Sequence, residues 1–299
     1  MKNTNLHSAR KAKNDEFYTQ YKDIEKELSH YKDHFYGKSI YCNCDNPTQS
    51  NFWRYFLINF EKLGLKKLIS THFNAEGTSY KLEAALEEGF LISEKTNLVG
   101  NGDFRSPECL RFLEDADVVI TNPPFSMFRE FIAQLIEYDK KFLVIGNMNA
   151  ITYKEIFPLI RANRLWLGFD HPKVFIQPGG LTKSFGNINW FTNLEHQKRH
   201  EKLTLMQSYY KNQDNYQKYD NYNAIDVGKV KDIPGDYYGI MGVPITFLCK
   251  YNPEQFEIVN CNEHRRSSSV PEKSHGLVKD KDSAINGKPV YVRILIRRI

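Results

Sequence analysis

The chain has 299 residues, 41% of them hydrophobic, which is enough to bury a large core in one domain or two. There is no run of about 18 apolar residues, so no membrane-spanning helix is expected, and the polar, basic stretch 1–13 does not resemble a secretory signal. The five cysteines form no paired C-x-x-C motifs, so we expect reduced thiols, no bound metal and a cytoplasmic protein.

The net charge of +5 is unevenly distributed along the chain. Residues 151–299 carry 22 Lys and Arg against 15 Asp and Glu, whereas residues 1–150 carry 19 against 21. A basic half beside a nearly neutral half is typical of a protein whose basic half binds a polyanion. A basic solvated surface has the same composition, so charge alone leaves both interpretations open.

The first half alternates short apolar runs with segments of helical periodicity. Helices are predicted over 50–60, with Ser50 as the cap, and over 127–136, while 79–92 fits a helix or a strand equally well. Apolar strands that alternate with helices predict a parallel α/β sheet covered on both faces, with ligands at the carboxyl ends of its strands. The predicted strands are 39–44, 67–73, 117–121 and 142–145.

The pattern changes after about residue 165. Two further strands are predicted at 164–168 and 187–191, on either side of the turn-rich stretch 177–180. The segment 207–223 is polar and rich in tyrosine, and the polar tail 265–282 is interpreted as a mobile loop.

The motif Asn122-Pro123-Pro124-Phe125 directly follows the predicted strand 117–121. Two prolines delay the start of a helix, so the carbonyl groups of the segment stay available to a ligand, and Asn122 adds a side-chain acceptor. Two acceptors on the hydrogens of an amino group push its nitrogen towards a tetrahedral shape and free its lone pair to attack a methyl sulfonium. Phe125 offers a ring face for a planar target. A simple strand-ending turn is the alternative interpretation of this motif.

These motifs resemble the EcoRI-type family of adenine-specific DNA methyltransferases. The resemblance implies an α/β fold with a Rossmann-like, S-adenosyl-L-methionine-dependent methyltransferase sheet and a C-terminal target-recognition region. We accordingly expect a basic N-terminal arm at 1–14, a catalytic domain at 15–195 and the target-recognition region at 196–299. The segments that carry the resemblance are 15–20, 41–45, 100–106, 121–126, 241–247 and 251–256.

The resemblance implies S-adenosyl-L-methionine as the cofactor. Asp103 and Phe104, after Gly102, suit its adenine, although a Gly-Asp pair is also a common turn. Asp45 resembles the acidic residue at the methionine end, and Asn74 stands where an acid usually meets the ribose. The turn 43–47 after the first strand lacks the glycines of most methyltransferases, and the EcoRI-type family shares this departure.

Tyr18 and Thr19 resemble the motif that closes over the methionine carboxylate, and Thr19 as the cap of a helix over 20–29 is an equal alternative. Trp190 and Phe191 are expected either to stack on a flipped target adenine, together with Phe125, or to pack in the core.

The expected partner is double-stranded DNA, with a possible cognate restriction endonuclease, and nothing in the sequence requires an oligomer. The candidates for phosphate and base contacts are Lys2, Arg10, Lys11, Lys13, Lys198, Arg199, His200, Lys202, Lys229, Lys231, Arg265, Arg266, Arg293, Arg297 and Arg298.

Three other functions use the same features. The tetrad also serves enzymes that methylate glutamine side chains of proteins, and cytosine N4 methylation poses the same chemical problem. A catalytically inactive DNA-binding regulator is the third alternative. The basic second half and the family-specific segments favour adenine N6 in DNA, as the modification enzyme of a restriction-modification system.

Overall fold

The structure is a computed structural model that describes residues 18–44, 46–75, 77–177, 180–262 and 284–299. The chain forms two compact units. Among the described residues, the first unit covers those between 18 and 150 and between 166 and 196, and the second covers those between 151 and 165 and between 197 and 299. The predicted arm 1–14 and the predicted loop 265–282 lie outside the described residues, and the domain boundaries drawn from the sequence stay a prediction.

The first unit is built on a mixed sheet of eight strands. The strands of this unit are β1 (Tyr18–Thr19), β2 (Ser39–Cys42), β3 (Lys67–Thr71), β4 (Tyr80–Glu87), β5 (Phe90–Asn97), β6 (Val118–Thr121), β7 (Lys141–Asn147), β8 (Trp166–Leu167), β9 (Val174–Ile176), β10 (Thr182–Ser184) and β11 (Ile188–Thr192). The order in the main sheet is β5-β4-β3-β2-β6-β7-β11-β8, and β1, β9 and β10 form a separate small sheet.

Only the centre of the main sheet is parallel. Strands β3, β2, β6 and β7 run parallel, and β6 is buried at every residue, which requires cover on both faces. Strands β4 and β5 on one side, and β11 and β8 on the other, are antiparallel to their neighbours. The prediction of a parallel sheet is therefore right for the centre and wrong for the edges.

A two-residue turn resolves the ambiguous stretch 79–92 in favour of a strand. Glu87 and Phe90 are partners in the ladder, and the intervening Glu88 and Gly89 have φ of 50° and 86°. Positive φ at both central residues matches the twist of a hairpin, so the chain reverses directly from β4 into β5.

The helices begin at local capping signals. The Ser50 hydroxyl accepts the Phe52 N–H over 3.1 Å, and the Ser106 hydroxyl accepts the Cys109 N–H over 3.3 Å. The helix predicted over 50–60 ends at Ile58, and a short further helix stops at Gly64, whose φ is 61°. The helices of this unit are α1 (Tyr21–Leu28), α2 (Asn51–Ile58), α3 (Phe60–Leu63), α4 (Pro107–Asp115) and α5 (Phe128–Glu137).

The second unit has its own sheet, in the order β12-β13-β17-β14, with buried apolar residues such as Met241, Val243, Ile294 and Ile296 at its centre. Its elements are α6 (Phe157–Arg161), β12 (Ala224–Asp226), β13 (Ile240–Pro244), β14 (Phe256–Asn262), β15 (Ala284–Ile285), β16 (Lys288–Pro289) and β17 (Arg293–Arg298). Short 3₁₀ segments of the two units span Lys32–His34, Phe125–Met127, Met148–Thr152, Gln197–His200, Gln213–Asn215, Val230–Asp232 and Ile245–Lys250.

Candidate active site

The Asn-Pro-Pro-Phe tetrad lies at the carboxyl end of β6, in the parallel centre of the sheet. Asn122 is 7% exposed and Pro123 is buried, while Phe125 is half-buried at the start of a 3₁₀ turn. The Pro124 carbonyl accepts the Met127 N–H over 2.9 Å, so the local turn does use the second proline's carbonyl. Among the described residues, no backbone hydrogen bond outside the regular elements ends on the Pro123 carbonyl.

The turn after β2 lies against the base of the tetrad. The Cys44 N–H donates to the Thr121 hydroxyl over 3.2 Å, because β2 and β6 are adjacent parallel strands. Asn46 fixes the following turn, since its side-chain oxygen accepts from the Thr48 N–H at 3.1 Å and from the Tyr80 hydroxyl at 3.0 Å. Asp45, predicted to meet the methionine end of the cofactor, lies outside the described residues.

The loop that carries Asp103 packs against the backbone beyond β3. Gly102 has φ of 75°, and a Cβ there would lie 2.1 Å from the His72 carbonyl oxygen, so only glycine fits. The Asn74 N–H donates to the Asn101 carbonyl over 2.9 Å. The predicted residues Asn74 and Asp103 therefore lie on two loops that are joined by a backbone hydrogen bond. Both loops lie at the edge of the sheet that carries the tetrad.

The Asp103 carboxylate is held by a bidentate ion pair. The Arg105 side chain donates to it at 2.9 Å and 2.7 Å, and reaches Glu130 at 3.1 Å. The hydrogen bonds to Asp103 raise the pKa of Arg105 above its ordinary value, so the guanidinium stays charged. Phe104 is buried, its ring stands edge-on to Phe131 at 5.1 Å, and it is therefore committed to packing on α5 in this structure.

Tyr18 and Thr19 form β1, which pairs with β9 in the small sheet. The Thr19 carbonyl accepts the Asn51 side-chain amide over 2.8 Å, and the Thr19 hydroxyl is buried with no hydrogen-bond partner among the described residues. Helix α1 begins at Tyr21 after Gln20, so the alternative in which Thr19 caps this helix is wrong.

Trp190 and Phe191 are completely buried on β11. The Trp190 ring packs edge-on against Phe52 at 6.0 Å, and Phe191 packs on Phe128 at 5.0 Å. Neither ring presents a face to solvent, and their contact with a target base stays a prediction that requires the core around them to open. Phe125 remains the accessible ring of the three.

Two aromatic features of the site were missed from the sequence. His72, the first residue after β3, stacks on Tyr80 with ring centroids 4.9 Å apart. Phe185, directly after β10, stands edge-on to Phe125 at 6.3 Å. The position of His72 at a strand end was a usable signal, whereas the contact of Phe185 depends on chain segments 60 residues apart.

The basic candidates in the second unit divide into buried and exposed groups. Arg199 is buried and donates to the Asn163 side chain, and Arg293 forms an ion pair with Asp226 at 2.9 Å. Both guanidinium groups are engaged within the unit, and both side chains have little exposure to solvent. The structure therefore does not support their prediction as phosphate contacts. Lys202 and Lys229 are exposed to solvent, and their contact with DNA stays a prediction. Residues 1–17 and 263–283 lie outside the described part of the chain.

Within the described ranges, no cluster of three or more His, Cys, Asp or Glu is arranged to hold a metal ion, and the cysteines are unpaired by disulfides. No helix in those same ranges combines the length and apolar character needed to cross a bilayer.

A mixed α/β sheet that carries this tetrad at the end of a central parallel strand places the chain among the methyltransferases. Residues 5–299 match the family described as "Adenine-specific methyltransferase EcoRI". The chain is 45% identical to the Type II methyltransferase M.EcoRI of Escherichia coli, over 98% of this chain and 95% of that protein. It is 39% identical to the Type II methyltransferase M.MpnI of Mycoplasma pneumoniae, over 97% of each.

The chain belongs to the EcoRI family of adenine-specific methyltransferases. A comparable protein from Mycoplasma genitalium, the Type II methyltransferase M.MgeORF184P, is also 39% identical over 97% of both chains. No solved structure matches the chain.

The family-specific segment 251–256 has a structural role in the second unit. Asn252 is completely buried, and its side-chain oxygen accepts the Glu254 N–H over 2.7 Å. Its carbonyl accepts the N–H groups of Gln255 and Phe256, which starts β14. The segment therefore forms a hydrogen-bonded turn that leads into β14.

Proposed function

We propose that this chain transfers a methyl group from S-adenosyl-L-methionine to N6 of a specific adenine in double-stranded DNA. The observation that carries the proposal is Asn122 at the carboxyl end of β6, followed by the Pro123 carbonyl and the half-buried ring of Phe125. In a Rossmann-like arrangement this is the edge at which ligands bind. The names of the relatives, Type II methyltransferases, support a role in modification beside a cognate restriction endonuclease.

The residues at this edge fit the cofactor. The buried Thr19 hydroxyl, without a partner among the described residues, suits a polar group at the methionine end. The ion pair with Arg105 orients the Asp103 carboxylate. An oriented, charged carboxylate is a suitable acceptor for the amine of the cofactor's adenine. Asn74 on the adjoining loop is the candidate for the ribose. When bound, S-adenosyl-L-methionine supplies an electrophilic methyl group at this edge.

The tetrad activates the nucleophile. The Asn122 side-chain oxygen and the Pro123 carbonyl accept the two hydrogens of the adenine amino group, which localises the lone pair on nitrogen. Because both acceptors are fixed by the strand end and by proline, little reorganisation is needed in the transition state. Phe125 holds the base in plane by stacking. A base inside a duplex cannot reach a site of this kind, so the target adenine is flipped out.

The second unit is the proposed target-recognition region. It is basic, and we assign the phosphate contacts to its exposed lysines and the reading of the DNA sequence to this unit. A phosphate-binding surface on a separate unit leaves the first unit free to bind the cofactor and the extruded base.

The test is methyl transfer to DNA with a labelled cofactor. The protein is incubated with duplex DNA of random sequence, the DNA is digested to nucleosides, and we expect the label in N6-methyladenine. Asn122→Ala is expected to bind DNA as the parent does and to lose at least about a hundredfold in kcat, because its contacts are made mainly in the transition state. Label in protein, or only in methylcytosine, would overturn the proposal.

A further inference from the structure

Three phenylalanine rings form a chain of contacts behind the tetrad. Phe175 on β9 is completely buried, and its ring centroid lies 5.6 Å from that of Phe185 at an interplanar angle of 74°. Phe185 in turn lies 6.3 Å from Phe125 at 87°. Both contacts have the edge-to-face geometry that aromatic pairs prefer. The chain of rings therefore connects the half-buried Phe125 to a fixed point in the core.

The small sheet that carries Phe175 and leads into Phe185 also contains the proposed cofactor strand. Thr19 of β1 and Phe175 of β9 are direct partners in the ladder, and Phe175 also pairs with Lys183 of β10. Phe185 follows β10 at once, so its backbone position is set by the same ladder. Asn51 on α2 anchors β1 through the Thr19 carbonyl.

Phe125 depends on side-chain packing for its orientation. It lies in a 3₁₀ turn of three residues, Phe125–Met127, whose backbone hydrogen bonds have poorer geometry than those of an α-helix. A group that contacts the reacting base must be placed within a fraction of an ångström, because small displacements cost large factors in rate. An edge-on neighbour that is itself anchored supplies this placement.

We propose that Phe185 is a positioning residue for methyl transfer, which fixes the Phe125 ring against the target adenine and couples it through the small sheet to the cofactor strand. The inference rests on the proposed function, since it assumes that Phe125 faces the target base. Phe185 does not itself contact the reacting atoms in this assignment; it acts through Phe125.

The experiment is a double-mutant cycle on the full chain. The variants are Phe185→Leu, Phe125→Leu and the pair together, and leucine keeps an apolar side chain in place of the ring. Phe185→Tyr retains the ring. Phe90→Leu is the matched control, because Phe90 is 73% exposed at the hairpin of β4 and β5. Each is assayed on a duplex that carries the site located by sequencing parent-methylated DNA.

We expect Phe185→Leu to lower kcat about tenfold with unchanged cofactor affinity, as loss of one aromatic pair predicts. Phe185→Tyr and Phe90→Leu should keep the parent kcat. In the Phe125→Leu background, the second substitution should cause no further loss. With 2-aminopurine at the target position, Phe185→Leu should increase the emission of the bound duplex, because the base is stacked less firmly.

Three outcomes would overturn the role of Phe185. The first is an unchanged kcat in Phe185→Leu, and the second is a loss that is fully additive with that of Phe125→Leu. The third is an equal loss of kcat in Phe185→Tyr, which retains the ring. The thermal unfolding of every variant is recorded, so that a loss of folded protein is not counted as a loss of kcat. Failure of the parent chain to methylate DNA would instead refute the proposed function and the inference with it.

Discussion

The backbone N–H of Cys44 donates a hydrogen bond to the Thr121 hydroxyl over 3.2 Å. Cys44 lies in the turn after β2, and Thr121 is the last residue of β6, immediately before Asn122. The bond therefore joins the turn on the proposed cofactor side to the strand end that holds the tetrad. One buried side chain keeps the two loops in register.

Replacing Thr121 by Val is expected to weaken both loops. Valine has nearly the same shape but accepts no hydrogen bond, and Thr121 is completely buried. The Cys44 N–H would lose this partner at a cost of about 1–3 kcal/mol. We expect a lower free energy of unfolding together with lower cofactor affinity and lower kcat, as measured by urea unfolding, calorimetry and single-turnover methylation.

Thr71→Val separates this effect from general destabilisation. Thr71 is also completely buried at a strand end, and its hydroxyl lies 3.0 Å from that of Tyr41. The two variants should lose similar stability, but only Thr121→Val should lose activity. Equal losses of activity would mean that the link between the loops is unimportant.

Gly102→Ala is expected to displace the Asp103 loop. A Cβ at Gly102 would lie 2.1 Å from the His72 carbonyl oxygen, so one of the two loops must move. We expect a loss of about 2–4 kcal/mol in the free energy of unfolding, from the collision and the positive φ together, and a cofactor affinity at least about tenfold lower. Differential scanning calorimetry and equilibrium binding of the cofactor measure the two effects.

Gly89→Ala is the control for backbone strain alone. Gly89 has φ of 86°, but a Cβ there has nothing within 4 Å. It should cost about 1–2 kcal/mol from the left-handed conformation and leave cofactor binding unchanged. If Gly102→Ala behaved in the same way, close packing of the loop against His72 would have no role in the site.

Features that depend on neighbours in sequence were mostly predictable. The continuous Val-Val-Ile run of β6 and the cap Ser50 are local, and the tetrad was correctly placed at a strand end for the same reason. The cap Ser106 is equally local but was missed. The antiparallel pairing of β11 with β7 and the contact of Phe185 with Phe125 arise between segments far apart in the chain. The hairpin of β4 and β5 and the stacking of His72 on Tyr80 are local, but the pattern of 79–92 left helix and strand equally open.

Charge shows the same limit. Arg199 lies between two other basic residues in the sequence, so it was grouped with them as a DNA contact. In the structure it is buried, and it donates a hydrogen bond to the side chain of Asn163, 36 residues earlier. Composition gives the charge of the second unit, but only packing decides which cations face solvent.

Arg199→Ala is therefore expected to change stability, whereas Lys202→Ala is expected to change DNA binding. Truncation of the buried Arg199 leaves Asn163 without this donor and should cost about 2–4 kcal/mol of stability. Lys202 is exposed, and its loss should leave stability unchanged but reduce the slope of log Kd against log salt for DNA by about 1. Urea unfolding and DNA binding at several salt concentrations test both, and a normal stability of Arg199→Ala would contradict its structural role.

Glu27 on α1 is a buried carboxylate. It accepts the N–H groups of Phe169 and Asp170 at 2.7 Å and 2.6 Å, and the Tyr31 hydroxyl at 2.9 Å. Burial raises the pKa of Glu27 to about 7 from its ordinary 4.5, although these hydrogen bonds lower it and nearby Asp170 raises it. The neighbouring Lys26 pairs with Asp170 at 2.7 Å.

The raised pKa of Glu27 sets the direction of a pH effect. Between pH 4.5 and about 7 the folded chain holds a proton that the unfolded chain has released, so this group's contribution to stability falls as pH rises, and is constant above 7. Glu27→Gln cannot ionise and should lose this slope, which reaches at most about 1.4 kcal/mol per pH unit. Glu27→Gln should also be less stable than the parent, because the side-chain NH₂ of the new glutamine would face a backbone N–H that the carboxylate now accepts. Urea unfolding at pH 5, 6, 7 and 8 tests this, and parallel curves for parent and variant would contradict it.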